Sequence, residues 1–175
     1  MIDSILATYI KGLQSVIDRG DAREESFYKC LEEMLLAYSN EFGSKKVSVT
    51  ILPKATEAGN PDFRVWDGKN HITGYIEAKA PHIYLLDPIA TSEQLKRYLA
   101  TFPNLILTNF YEFRLYQHGH LVDSVTIARA SNAINLGKTP PLEKAVEMKD
   151  LLSRYFSFSL PAITDPKSLA DALAK

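Results

Sequence analysis

Several large protein classes are excluded by what this sequence lacks. It has a single cysteine, Cys30, so neither an internal disulfide nor a cysteine-rich zinc site can form, and a reducing cytoplasmic setting is expected. No apolar run approaches the roughly 18–20 residues of a membrane span. The opening MIDSILATYIKGL has no basic n-region and no small-residue cleavage site, so neither a signal peptide nor a membrane partner is expected. Repeats and low-complexity segments are missing. An excess of charge is missing too: 20 basic and 21 acidic residues leave a net charge of −1. Free-standing nucleic-acid-binding modules are more often clearly basic. What is present is an ordinary globular composition, 46% hydrophobic and 23% charged over 175 residues. That is enough for one domain with a substantial core.

Periodicity divides the chain into alternating helices and strands. Residues 2–19 place Ile5, Tyr9, Leu13, Val16 and Ile17 at helical spacing, with Asp3 or Ser4 available as caps. Asp21 is set to cap a second helix running to about residue 40, with Phe27, Leu31, Met34 and Leu35 as its buried stripe. Glu24 falls on the edge of that stripe and Glu25 points away; a carboxylate on an apolar face is costly unless it is paired. Residues 47–52, 61–66 and 71–79 read as strands. Asp67-Gly68 between the last two marks a hairpin. Thr91 or Ser92 caps a helix of about ten residues. The run 105–108 is apolar throughout, as in a buried central strand. Strands over 113–117 and 121–128 follow, then a helix from Pro141 through Leu142, Val146, Met148, Leu151, Leu152 and Tyr155. Residues 164–175 open a further helix that has no terminator, the expected start of a linker to a larger parent chain. The expected architecture is α/β: a mixed central sheet flanked by helices.

The chemistry concentrates on the 61–79 hairpin. In its second strand Tyr75, Glu77 and Lys79 share one face, and Gly74, Ile76, Ala78 and Ala80 the other. Pairing Asp67 with Asn70 across a two-residue turn sets Asp62 opposite Tyr75, on the face of Glu77 and Lys79; a slip of one residue would remove it. A Glu and a Lys at i, i+2 on a strand are by themselves an ordinary surface ion pair. A Pro-Asp on the partner strand makes them more. Mg2+ takes one or two carboxylates, keeps several waters and leaves room for phosphate. Asp62 and Glu77 supply the carboxylates, the Ala78 carbonyl a third ligand, and Glu24 an outer contact; Mn2+ fits the same donors. Lys79 stands where it can orient or help deprotonate a water and offset phosphate charge.

Pro61-Asp62 followed by Glu77-Ala78-Lys79 resembles the signature of the PD-(D/E)xK nuclease superfamily, on the expected hairpin. Gln94-Leu95-Lys96-Arg97-Tyr98 resembles the glutamine-x-x-x-tyrosine motif of its RecB-like branch, with Gln94 and Tyr98 one helical turn apart. Ala22-Arg23-Glu24, Asn60-Pro61-Asp62-Phe63, Glu77-Ala78-Lys79, Gln94 and Leu107-Thr108-Asn109 together resemble the N-terminal nuclease domain of single-chain restriction–modification enzymes, including the Type ISP group. The resemblance covers about residues 1–160, with 161–175 as the linker. It implies a restriction-endonuclease-like core and a Mg2+-dependent endonuclease acting on double-stranded DNA. Asp62, Glu77, Lys79, Glu24, Gln94 and Tyr98 would be its catalytic residues, and Asp62, Glu77 and Ala78 the metal-holding set. It further implies companion N6-adenine methyltransferase and target-recognition domains elsewhere in a parent chain, and a DNA-dependent dimer for double-strand cutting. The 175 residues hold neither an Asn-Pro-Pro-Tyr motif nor a phosphate-binding Gly-Lys-Thr loop. The alternatives are a RecB-like exonuclease or repair nuclease, and a catalytically silent nuclease fold serving DNA binding or assembly.

Other candidates have simpler accounts. His118 and His120 flank Gly119 at a hairpin tip without further ligands, and His71 and His82 read as surface residues. Lys45, Lys46, Lys54, Lys96 and Arg97 could form a basic rim, though such residues are usually just solvated. Tyr111, Phe113 and Tyr116 fit a core better than a base-stacking platform. Cys30 belongs to the core edge, and Tyr84-Leu85-Leu86 is a possible docking patch for another domain.

Overall fold

A computed structural model describes residues 1–44 and 46–159. Lys45 and the expected helix over 164–175 lie outside the described residues. Six strands form one sheet in the order β1-β2-β3-β4-β5-β6: β1 Ser48–Ile51, β2 Phe63–Trp66, β3 Ile72–Ala78, β4 Asn104–Thr108, β5 Glu112–Gln117 and β6 His120–Thr126. Neighbours are antiparallel except β3 and β4, which run parallel. A parallel pair needs a crossover. Here it carries the short α3, Asp87–Ala90, and α4, Glu93–Thr101.

Helices cover both faces, as the alternation of patterns anticipated. On one face α1, Ile2–Ile17, α2, Tyr28–Phe42, and α6, Ala145–Ser157, share a core with Phe63, Val65, Ile76, Ala78, Ile106, Phe113 and Leu115. On the other, Leu95, Tyr98 and Phe102 of α4 and its end pack on Leu105, Leu107 and Tyr116. The continuous run in β4 is buried along its whole length, as a strand between two helical layers must be. Ile76 and Ala78 point into the α1–α2 layer and Glu77 into the α4 layer, so the alternation of β3 decides which helices meet the carboxylate. Gly74 is required by close approach: a Cβ there would lie 2.6 Å from the Asn104 carbonyl and 2.8 Å from the Tyr155 ring of α6. Among the described residues no helix is long and apolar enough to cross a membrane.

Four expectations are corrected. The second helix is not continuous from Asp21: Glu24–Phe27 forms a 3-10 turn with Arg23 as its N-cap, and α2 begins at Tyr28. In the turn, Ser26 Oγ accepts from the Arg23 N–H. The N-cap of α1 is Met1 and not Asp3 or Ser4. The last helix starts at Ala145, not Pro141. The Glu143 N–H is held by the Ile127 carbonyl at 2.7 Å and Lys144 takes φ +49°, so the chain is pinned to the sheet before it coils. Val146 is consequently 66% exposed rather than part of the stripe. The sequence periodicity also gave no sign of α5, Ala130–Leu136, a short helix closed by Gly137.

The fourth correction concerns the hairpin. Phe63 pairs with Ile76 and Arg64 with Tyr75, so Asp62 lies across from Glu77 and not from Tyr75. The displacement is two residues. One comes from closing the turn between Asp67 and His71, whose N–H···O bond is 2.9 Å, and one from an irregularity between Val65 and Trp66. Because side chains alternate with period two, a slip of two preserves the face. Asp62 and Glu77 meet, and more directly than the simple turn would allow.

Candidate active site

The Glu24–Phe27 turn, α2, β3 and α4, with Asp62 just before β2 and Lys79 just after β3, deliver side chains to the end of the hairpin. Ser92 accepts from the Leu95 N–H at 3.2 Å and starts α4; of the two cap candidates it is the one used. This fixes Gln94 and Tyr98 on the helix face that lies over β3. Gln94 Nε2 donates to Glu77 Oε1 at 3.0 Å and contacts Tyr98 Oη at 3.2 Å. Lys79 Nζ donates to the same Glu77 oxygen at 2.6 Å. The residues Glu77, Lys79, Gln94 and Tyr98 are therefore brought together as their spacing anticipated.

Asp62 is held from two sides. Its Oδ2 accepts from the Ala78 N–H at 2.8 Å, and its Oδ1 from Tyr28 Oη at 2.7 Å. The N–H and C=O of one strand residue leave by the same edge, so the Ala78 carbonyl also points toward the Asp62 side. Glu24 acts as a bracket: Oε2 accepts from the Ala80 N–H at 2.7 Å and Oε1 lies 3.3 Å from Tyr28 Oη. Glu24 is half-buried and Glu25 exposed, in line with their positions about the stripe.

Tyr28 is the residue that pattern reading missed. Its ring is buried against Phe63 and Phe110, at 4.8 and 6.3 Å between centroids. Its hydroxyl joins two of the carboxylates. The available signal was a phenol four residues after Glu24, on a stripe otherwise made of hydrocarbon. An O–H on such a stripe needs a buried partner.

The electrostatics set one carboxyl apart. Glu77 is 2% exposed, and among the described residues its Oε2 has no hydrogen-bond partner. Burial first, and then the Asp62 charge, push its pKa up to about 7, although Lys79 pulls the other way. The ion pair alone would lower it; desolvation and the second carboxylate outweigh that. Burial likewise raises Glu24, with Lys79 opposing. Burial also disfavours the Lys79 ammonium, yet Glu77, Asp62 and Glu24 together hold its pKa above the ordinary value. A buried carboxylate with a free oxygen beside a second carboxylate is the donor chemistry of a hard divalent cation. The fit is to Asp62 and Glu77. Among the described residues no group of three or more His, Cys, Asp and Glu side chains is placed to hold a metal.

The remaining candidates stay outside this cluster. His71 and His82 are exposed, the former 3.4 Å from Asp67 at the hairpin turn. His118 and Gly119, both with positive φ, make the β5–β6 turn. Lys46, Lys54, Lys96 and Arg97 are exposed, with Lys96 paired to Glu93. Tyr111, Phe113 and Tyr116 are buried, and Cys30 packs at the core edge.

No protein-family model and no curated protein matches the chain. Among solved structures, a DrdV–DNA complex determined by cryo-electron microscopy is similar, with a TM-score of 0.63 and 21% identity over 90% of this chain. The fold is restriction-endonuclease-like. The chain spans 14% of the length of that neighbour's chain.

Proposed function

We propose that this chain is a Mg2+-dependent DNA endonuclease domain of the PD-(D/E)xK type, the cleavage module of a restriction–modification enzyme. The observation that carries this is the state of Glu77: one oxygen gripped by Lys79 and Gln94, the other buried and open beside Asp62. Asp62 and Glu77 hold Mg2+ or Mn2+, with the Ala78 carbonyl at the same strand edge. When bound, the cation polarises the phosphodiester and acidifies water. The protein's own groups do the rest. Lys79 offsets phosphate charge and orients the attacking water; Gln94, steadied by Tyr98, fixes the Glu77 carboxylate; Tyr28 and Glu24 hold Asp62 and the Ala78–Ala80 backbone in register.

Double-stranded DNA as substrate is supported by the fold shared with a chain solved on DNA. The near-zero net charge fits a cleavage module whose DNA affinity and targeting come largely from companion methyltransferase and target-recognition domains. One such site per chain cuts one strand, so a double-strand break calls for two copies meeting on DNA. A cytoplasmic location goes with this role. A second reading, a RecB-like exonuclease or repair nuclease, draws on the Gln94–Tyr98 pair over Glu77; preference for linear over circular DNA would single it out.

Calorimetric titration with Mn2+ tests the assignment. Saturable binding that is lost in Asp62→Ala supports the metal site. Absence of binding in the intact chain leaves the catalytically silent assembly module.

A further inference from the structure

Leu52 is the cross-strand neighbour of Asp62. The β1–β2 register, with Ile51 opposite Phe63, continues one step to set Leu52 across from Asp62, and the Leu52 N–H donates to the Asp62 carbonyl at 2.8 Å. There the chain turns out of the sheet, because Leu52 takes φ +48°. Two local preferences oppose that conformation. A residue with a Cβ is disfavoured in the left-handed region, and a residue before proline is pushed toward extended backbone; Pro53 follows. Phe110 and His118 share the positive φ but have local reasons for it. Phe110 lies in the β4–β5 connection, where its N–H donates to Thr108 Oγ1 at 2.9 Å. His118 opens the His118–Gly119 hairpin turn. Leu52 instead leaves an edge strand with an aliphatic side chain 60% exposed.

The base beneath it is braced. The Lys54 carbonyl accepts from Arg64 Nη2 at 3.3 Å, the Arg64 guanidinium lies over the Trp66 and Tyr75 rings at 5.7 and 5.6 Å, and Ala58 is buried in the α4 cluster. The 2.8 Å bond from the Leu52 N–H to the Asp62 carbonyl keeps the two residues in direct backbone contact, whereas the grooves of duplex DNA are about 6–12 Å wide. A phosphodiester seated between Asp62 and Glu77 therefore brings a groove against Leu52. Proteins that bind the minor groove insert apolar side chains, leucine among them, between base steps and unstack them.

We propose that Leu52 is a DNA wedge, an apolar probe that enters the duplex beside the scissile phosphate, with the exposed Lys54 on a neighbouring phosphate. This rests on the nuclease reading of Asp62 and Glu77. The test uses the 175-residue chain and a duplex carrying 2-aminopurine, with Ca2+ replacing Mg2+ so that the DNA stays whole. Wild type binds with a fluorescence rise as the probe base unstacks. Leu52→Gly relieves the backbone conformation and removes the probe: its thermal midpoint rises, duplex affinity falls at least fivefold, and the fluorescence rise is lost. Leu52→Met keeps an apolar probe and retains both. Wild-type affinity and fluorescence in Leu52→Gly overturn the wedge while leaving Asp62-dependent nicking, and so the nuclease function, untouched. Duplex binding by the wild type without a fluorescence rise overturns it equally. A wild-type chain that neither binds duplex nor nicks plasmid overturns both.

Discussion

Glu77 is the buried carboxyl of the site, and pH reads out its burial. Its folded-state pKa is pushed up to about 7 from an ordinary 4.5, so between those values the folded chain binds more protons than the unfolded one. Stability of the metal-free protein therefore falls as pH rises through that window, by on the order of 3 kcal/mol in total. Glu24 shifts in the same direction. Thermal unfolding in EDTA is expected to give a higher midpoint at pH 5 than at pH 7.5, and Glu77→Gln to flatten that difference. Gln94 supplies a second residue-scale check. Gln94→Ala leaves Glu77 Oε1 with Lys79 alone, and partners of this kind are typically worth about 10–100-fold in metal affinity or activity. Nicking is expected to drop by that factor while circular dichroism stays unchanged.

At this scale the acidic, basic and amide residues of the site could be picked from the sequence, because strand and helix periodicity decide which side chains share a face. Tyr28 could not. Its role follows from where the 3-10 turn places its hydroxyl relative to Asp62, 34 residues away, and the helical pattern hides that turn.

The elements that aim these residues are the hairpin and α4. The hairpin shows how a wrong register can still yield the right neighbours: a wider turn and a strand irregularity displaced the pairing by two, and period-two alternation kept Asp62 on the Glu77 face. A displacement of one would have removed the site. The N-terminus of α4 depends on Ser92, whose side chain accepts from the Leu95 N–H. Ser92→Ala is expected to cost about 1 kcal/mol, seen as a lower midpoint in chemical denaturation, and to loosen the Gln94–Tyr98 pair. Addition of Mg2+ should recover part of that loss, since binding to the folded state stabilises it. Element ends were read less well than element centres. Helix starts are set by tertiary bonds such as Glu143 to Ile127, which leave no trace in hydrophobic spacing.

In the molecule as a whole, two helical layers enclose a mixed sheet so that one strand, β3, presents hydrocarbon to one layer and a carboxylate to the other. That arrangement was legible in outline from the succession of patterns, and the restriction-endonuclease-like fold agrees with it. The sheet order was not legible, since pairing between β3 and β4 spans the whole α3–α4 crossover. Balanced charge at this scale means that the isolated domain should bind DNA weakly, with low salt favouring what binding there is. Relaxation of supercoiled plasmid at low salt by the wild-type chain reads cutting at this hairpin most directly. Nicking is expected with Mg2+ or Mn2+, abolished by EDTA, and absent in Asp62→Ala and Lys79→Ala variants that keep the wild-type circular dichroism. Nicking that persists in both variants, or in EDTA, would contradict the assignment of this hairpin as the cutting site.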